Sequence, residues 1–407
     1  MILIILLLCF SSIAPEGVGK FEIREIGIGP DDVIQDEFAV REDGSLNFII
    51  CRIKSFMSSI NCTVRVVGLT PLLDEVHLFM YQSDADRDNF QVDFKFDLIK
   101  NVLYGWIYEE DRDHYLHRAG IAVNLTTNAV YKFVLPFALE NNDEKIVQDK
   151  YTMIIDPKGL QLVFHDDPKV CGGLTKCKFV FNSEGELLEG PVTIPYDLNL
   201  VGFIPKMRGS KDDGTMLLSS LSESGPKYQA IYYEGSGDST IVHTFDEIPK
   251  FFSNNHDLYL ICGYDDHWPA LEPAGSLDCA QYDWKTNETV TLKLSDVEFG
   301  KNSLRSQIAL VANLDKSRFL IAVLGCVYEE VEYCKKFLRI SSFNWEGKLL
   351  NTVPIFNDLK YFYSPLKPMV TIKEIEIRVC IYLIHDTFVS GNKFAESNIK
   401  CFPDWTF

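Results

Sequence analysis

A phrase made of a polar turn, a strand and a proline returns along this chain, and it limits the accessible folds more than any other feature. It reads NLTTNAVYKFVLPFAL from Asn124, FNSEGELLEGPVTIPYDL from Phe181, YEGSGDSTIVHTFDEIPKF from Tyr233 and FNWEGKLLNTVPIFNDL from Phe343. The closing prolines, Pro136, Pro195, Pro249 and Pro354, fall 59, 54 and 105 residues apart, the last interval being close to two periods. A fifth phrase, YDWKTNETVTLKLSDVEF from Tyr282, fills that gap without its proline. Proline cannot donate to a hydrogen-bond ladder, so its return near the end of the same strand predicts a sheet edge. A long fixed period means an array of units, each too small to bury its own apolar face.

Between the phrases, β-branched and aromatic runs alternate with Gly, Asn, Asp and Pro punctuation, and helical periodicity is scarce. The stretch Gly325–Phe356 shows one unit at its clearest, as three successive strands. Complete units are expected over Glu37–His77, Asn89–Leu139, Asp143–Tyr196, Asp197–Pro249, Lys250–Phe299 and Ser303–Phe356. A seventh begins with EIEIRVCIYLIHD and SNIKCFPDWTF and stops one strand short. An unpaired β run, KFEIREIGIG over Lys20–Gly29, would supply the missing strand.

The chain resembles the β-propeller superfamily over residues 20–407, without the repeat signature of any named propeller family. The resemblance implies an all-β fold of seven four-stranded antiparallel blades in a single domain, closed by strand 20–29 completing the C-terminal blade. A pair of β-sandwiches and a six-bladed ring are the competing arrangements. In standing apart from named families the chain is similar to gland-secreted invertebrate proteins such as venom or salivary components.

The first residues, MILIILLLCFSS, are too short an apolar run to span a bilayer and precede small residues where a signal peptidase could cut. Residues 1–19 are therefore read as a secretory signal, which makes the protein extracellular and leaves no expected membrane span. Ten cysteines remain after Cys9 is removed, an even number that suggests five bridges in an exported chain. Near-neighbour spacing pairs Cys51 with Cys62, Cys171 with Cys177, Cys262 with Cys279, Cys326 with Cys334 and Cys380 with Cys401. Clustered thiols can also bind zinc, but no C-x-x-C is present and export favours oxidation. Glycosylation sequons stand at Asn61, Asn124 and Asn287.

A net charge of −19 argues against nucleic acid as a partner, because phosphate binding needs a basic groove. In a propeller the loops joining second to third strands share a face with the connections between blades. Acids and histidines gather at the expected ends of the second strands: Glu109 and Glu110; His165, Asp166 and Asp167; Asp265, Asp266 and His267; Glu329 and Glu330; His385 and Asp386. Converged, they would form a negative face able to hold calcium or to steer a basic partner; scattered, they are solvated turn residues. No cofactor is otherwise expected.

No G-x-S-x-G, H-E-x-x-H or Gly-rich phosphate loop occurs, and no residues are assigned to catalysis. The leading expectation is a secreted, non-enzymatic binding protein that presents the loops of a stapled ring to an extracellular protein. The alternative is a cation-dependent hydrolase or lactonase-like propeller enzyme, with the ion in the central channel.

Overall fold

The computed structural model describes residues 24–54, 59–68, 74–82, 89–110, 116–135, 150–155, 158–165, 170–174, 176–193, 200–204, 215–221, 227–233, 238–255, 258–264, 276–295, 305–330, 333–360, 369–375, 378–389, 392–403 and 406–407. Residues 1–19, expected to be a secretory leader, lie outside them. Among the described residues no helix is long and apolar enough to cross a membrane.

The architecture is that of a β-propeller, built from four-stranded antiparallel sheets. Strand β1 (Arg24–Gly27) comes first in the chain and pairs out of order. The first sheet follows as β2 (Asp32–Val40), β3 (Leu46–Lys54), β4 (Ser59–Val67) and β5 (Asp74–Gln82). The second is β6 (Asn89–Asp97), β7 (Val102–Glu110), β8 (Leu116–Asn124) and β9 (Val130–Phe133). The third is β10 (Lys150–Ile155), β11 (Leu160–His165), β12 (Lys176–Phe181) and β13 (Leu187–Thr193), and the fourth β14 (Leu200–Ile204), β15 (Thr215–Ser220), β16 (Tyr228–Tyr233) and β17 (Ser239–Phe245). The fifth is β18 (Pro249–Asn255), β19 (Leu258–Tyr264), β20 (Ser276–Asp283) and β21 (Glu288–Ser295). The sixth is β22 (Arg305–Asn313), β23 (Arg318–Glu330), β24 (Tyr333–Asn344) and β25 (Leu349–Lys360). The last holds β26 (Met369–Ile375), β27 (Arg378–Val389) and β28 (Asn392–Pro403), with β1 as its fourth strand.

Burial falls from the second strands outward. Every residue of β19, LYLICGY, is buried, as is β7 from Val102 to Tyr108, because neighbouring sheets cover both faces of these strands. The outer strand β21, ETVTLKLS, buries only Leu294. First strands lie against first strands of the next sheet, β2 on β6, β6 on β10, β18 on β22 and β22 on β26, which places them innermost.

Side chains between the sheets form the core. Phe79 meets Phe94 edge-on at 6.1 Å between the first and second sheets, and Trp106, wholly buried, meets Phe164 at 6.1 Å between the second and third. Tyr232 packs on Tyr259 and Tyr282 between the fourth and fifth. Leu260 and Leu277 pack with Val311 and Phe319, and Leu320 and Ile340 with Val379 and Phe402, across the next two joints. Tyr382 and Ile384 of the last sheet share a buried cluster with Ile34, Phe48 and Val67 of the first.

Strand β1 runs antiparallel to β28, from Arg24 opposite Ser397 to Gly27 opposite Phe394. The connection into β2 is tied down locally. Ile28 N donates to Lys393 O, Lys393 Nζ donates to Asp32 O at 2.7 Å, and Arg52 Nε donates to Asp32 Oδ1 at 2.7 Å.

The polar turns of the repeat have one physical cause. Asn124, Asp283 and Asn344 end a third strand and Asn182 directly follows one, and each side-chain Oδ1 accepts two backbone N–H groups of the following turn. Three or four residues on, the chain turns through the left-handed region, at Asn128 (φ 59), Gly185 (φ 77), Asn287 (φ 61) and Gly347 (φ 81). Gly and Asn recur there because they tolerate that conformation best. Asp43, Asp97 and Asp315 cap the first-to-second turns at the same ends of the sheets.

The expected strand pattern needs two adjustments. The first sheet starts at Asp32, ahead of Glu37, and its outer strand runs on to Gln82. Pro249 opens the innermost strand β18 and does not close β17, while Pro354 does lie in an outer strand. Both are edge strands, so the missing N–H explains both positions. Pro136 and Pro195 lie outside the described residues.

Four disulfides are present among the described residues, and several such bridges belong to an oxidising environment. Cys51–Cys62, Cys262–Cys279 and Cys380–Cys401 join directly opposed residues of second and third strands, with Cα atoms 4.1, 4.2 and 3.9 Å apart. That closeness marks the non-hydrogen-bonded sites of an antiparallel ladder. Cys171–Cys177 ties the connection before β12 to that strand. Cys326 faces Lys336 and Cys334 faces Tyr328 in the register of β23 and β24; the side chains of this couple lie outside the described residues.

Candidate functional site

The antiparallel order sends every second-to-third loop to one face, opposite the Asx-capped turns. Glu109 and Glu110 are the last residues of β7, His165 the last of β11, and Glu329 and Glu330 the last of β23, so the backbone carries all five to that face. Strand β27 continues to Val389, which places His385 and Asp386 inside a strand. The side chains of these seven residues lie outside the described residues. Asp166, Asp167, Asp265, Asp266 and His267 lie outside them altogether. Among the described residues no three His, Cys, Asp or Glu side chains are grouped to hold a metal ion.

A second site, not anticipated from the sequence, lies among the innermost strands β2, β6 and β10. Register between β2 and β3 passes from Ile34 opposite Ile50 to Phe38 opposite Phe48, so four steps on β2 answer two on β3. The surplus throws Gln35, Asp36 and Glu37 out of the ladder, the way a bulge re-aims side chains. They line a cleft of about 380 Å³ with Asp93 and Lys95 of β6 and Tyr151 and Met153 of β10. That volume is at the small end for a ligand pocket.

Charge in the cleft is paired across the sheets. Glu37 Oε2 accepts from Lys95 Nζ at 2.7 Å, and its Oε1 accepts from Phe96 N at 3.1 Å. Burial raises the Glu37 carboxyl above the ordinary carboxylate range, against the opposing pull of Lys95 and the Phe96 amide. The side chain keeps 18% exposure, because the cleft is open while the protein surrounds the carboxylate on its other sides. Tyr151 donates its hydroxyl to Asp93 Oδ2. Burial, then Tyr108 and Asp93, push that hydroxyl far above the usual tyrosine range, so it stays protonated and acts as a donor. The wall thus offers carboxylate acceptors, one ammonium and one phenol, a set able to orient a small polar molecule.

A sequence signal for this site did exist. Glu37 and Lys95 are 58 residues apart, as are Asp93 and Tyr151, which is the length of one repeat. Contacts between neighbouring units join residues about one period apart, so polar residues on the first strands should be sought at that spacing.

Comparison with known proteins adds little to this geometry. No protein-family model matches the chain, and no curated protein matches it in sequence. Among solved structures, the β-propeller domain of the Trilobed protease from Pyrococcus furiosus is 9% identical, with 91% of this chain and 94% of that chain covered at a TM-score of 0.46. The WD40 domain of SCAP from fission yeast is 9% identical, covering 93% and 94%, at 0.40. The N-terminal domain of Nup159 is 9% identical, covering 95% and 97%, at 0.31. Strand pairing and the packing between sheets define the propeller independently of these likenesses.

The three sequons occupy different settings. Asn61 sits in mid-strand on β4 with Cys62 buried beside it. Asn124 is the cap of the β8 turn, and Asn287 is the left-handed residue of the turn after β20, with its Oδ1 accepting from Tyr282 Oη.

Proposed function

We propose that the seven sheets are the blades of one ring closed by β1, and that this ring is an exported, non-enzymatic binding protein whose loop face engages an extracellular protein. The observation that carries the binding role is where the bridges lie. Cys51–Cys62 and Cys262–Cys279 sit at the loop-side ends of their strands, three and two register pairs from the last pair before the loop, and Cys171–Cys177 ties such a connection to the strand that follows it. Each shortens a loop and holds its base against the sheet, so the face meets its partner with less conformational freedom left to lose. The net charge of −19 favours a basic partner, steered in by the field of the whole chain.

Closure is supported by the pairing of β1 with β28 and by the cluster joining Tyr382 and Ile384 to Phe48. A chain lacking residues 1–27 tests it: loss of a single cooperative unfolding transition, restored by adding a peptide of residues 20–29, is expected. An unchanged transition would overturn closure. The binding role is tested by cross-linking mass spectrometry of the protein secreted from eukaryotic cells, with extracellular fluid as prey. Links from a captured protein to the second-to-third loops, weakened by Glu109→Lys with Glu329→Lys, are expected; links confined to the opposite face would sink the reading.

A second reading follows from the cleft among β2, β6 and β10, where Asp36, Glu37 and Asp93 lie near Lys95 and Tyr151. It is a small-ligand site or, with a cation, the hydrolase or lactonase-like alternative. Native mass spectrometry and metal analysis of the secreted protein discriminate: a co-purified compound or a stoichiometric ion with a chelator-sensitive activity favours this reading, and an unloaded protein that binds its partner favours the first.

A further inference from the structure

Outer strands present unpaired N–H and C=O groups, and proteins blunt such edges with proline, lysine, bulges or brevity. Most outer strands here carry one of these devices. Strand β9 is four residues long and carries Lys132; β13 and β25 carry Pro191 and Pro354 together with register shifts against their neighbours. Strand β17 has a register shift against β16, β21 carries Lys293, and β1 has four residues. Strand β5, DEVHLFMYQ, holds none of them itself, and Lys132 of β9 reaches only its end, donating to Gln82 O at 2.7 Å. It is nine residues long, in unbroken register with β4 from Ser59–Gln82 to Val67–Asp74, and it holds neither proline nor lysine.

Its outward side chains are apolar as well. Val76, Leu78 and Met80 are 44%, 67% and 59% exposed, while Phe79 and Tyr81 between and beside them are buried. A long, flat edge with an apolar face is a site for unwanted strand pairing unless something covers it.

The same face carries the sequon Asn61-Cys62-Thr63. Register sets Asn61 beside Met80 and Thr63 beside Leu78, and the four residues line a shallow cleft of about 450 Å³. Strand alternation turns Cys62 inward, 2% exposed, to its bridge with Cys51, so the acceptor and the disulfide occupy opposite faces. We infer that Asn61 carries an N-linked oligosaccharide whose first sugars lie over Leu78 and Met80 and shield the β5 edge. The glycan takes the place of the proline or lysine found on other outer strands. This rests on the export reading, because the acceptor is modified only along the secretory route.

The test uses the full chain secreted from a eukaryotic cell. Glycopeptide mass spectrometry is expected to find Asn61 occupied. Enzymatic removal of the sugars from the folded protein, or Thr63→Ala where that variant folds, is expected to raise the oxidation rate of Met80 by peroxide and to convert monomer into self-associated species in sedimentation velocity. Leu78→Lys in the sugar-free protein is expected to restore the monomer. Asn61 unmodified while Asn124 or Asn287 is modified would overturn the inference and leave export standing. All three unmodified on the secreted chain would likewise overturn the inference alone, whereas a chain that stays inside the cell would overturn export and this inference with it. Sugar removal that changes neither Met80 oxidation nor association would overturn the shielding role.

Discussion

Glu37 and Lys95 stand one repeat apart on neighbouring innermost strands, and their side chains close to 2.7 Å. The contact makes stability depend on pH in a definite direction. Burial raises the folded-state carboxyl above its ordinary value of 4.5, so over the window between the two the folded chain holds a proton that the unfolded chain has released. Stability therefore falls as pH rises through that window and is level above it. Glu37→Gln removes the titration. In urea melts across the acidic range, the stability of the parent relative to E37Q is expected to decline as pH rises, and Lys95→Met is expected to widen the window by removing the ammonium that holds the carboxyl down. A pH-independent difference would refute the assignment.

The bridge Cys380–Cys401 differs from the other two cross-strand bridges in its place. It staples the open end of the β27–β28 hairpin, two register pairs from Arg378 and Pro403, and so lies on the face opposite the loops. There Cys380 belongs to the cluster shared with Ile34 and Phe48 of the first sheet. Replacing both cysteines by alanine is expected to cost about 2–4 kcal/mol. Hydrogen exchange should show the loss concentrated at β27, β28 and the facing parts of β2 and β3, whereas the Cys51/Cys62 double variant should loosen the β3–β4 end. Equal, global loss of protection in both would argue against this division.

Trp106 is the largest wholly buried side chain among the described residues, held among Tyr108, Phe133, Tyr151 and Phe164 between the second and third sheets. Trp106→Ala removes that filling and is expected to cost about 3–5 kcal/mol, with Trp106→Phe costing less. Chemical denaturation followed by circular dichroism measures both. A cost for alanine within the range of surface substitutions would mean that the joint does not depend on this packing.

The contrast between the strands and the cleft shows what the sequence made legible. VLYGWIYEE announced β7 because a second strand covered on both faces is apolar at nearly every position, and LYLICGY did the same for β19, while KCKFVF announced the third strand β12 by alternation at its start. The near-neighbour cysteine couples were legible for a similar reason: opposed residues of a hairpin keep a fixed, short separation. Glu37, Lys95 and Tyr151 were not legible as a group, because three separate sheets bring them together and a register shift in β2 aims the first. The hint was Asp36, which stands between Ile34 and Phe38 where strict alternation calls for an apolar residue. The acids of the opposite face have a different task, since Asp43, Asp97, Asp283 and Asp315 serve backbone amides away from the expected binding loops.

Asn182 and Asn344 offer a direct test of the repeat's turn chemistry. Each side-chain oxygen accepts two backbone N–H groups, from Glu184 and Glu186 in one turn and from Glu346 and Lys348 in the other, ahead of a left-handed glycine. Alanine at either position leaves those amides to water and lets the turn open. The cost is expected to be about 1 kcal/mol per site, because a half-exposed hydrogen bond is worth that much net. Aspartate keeps the acceptor and should retain most of the stability. Because the two turns lie in the third and sixth sheets with no shared partner, the double alanine variant should lose the sum of the two singles. Urea titration of the four proteins measures this. Strong non-additivity would show that the turns are coupled from sheet to sheet and do not act as repeated local devices.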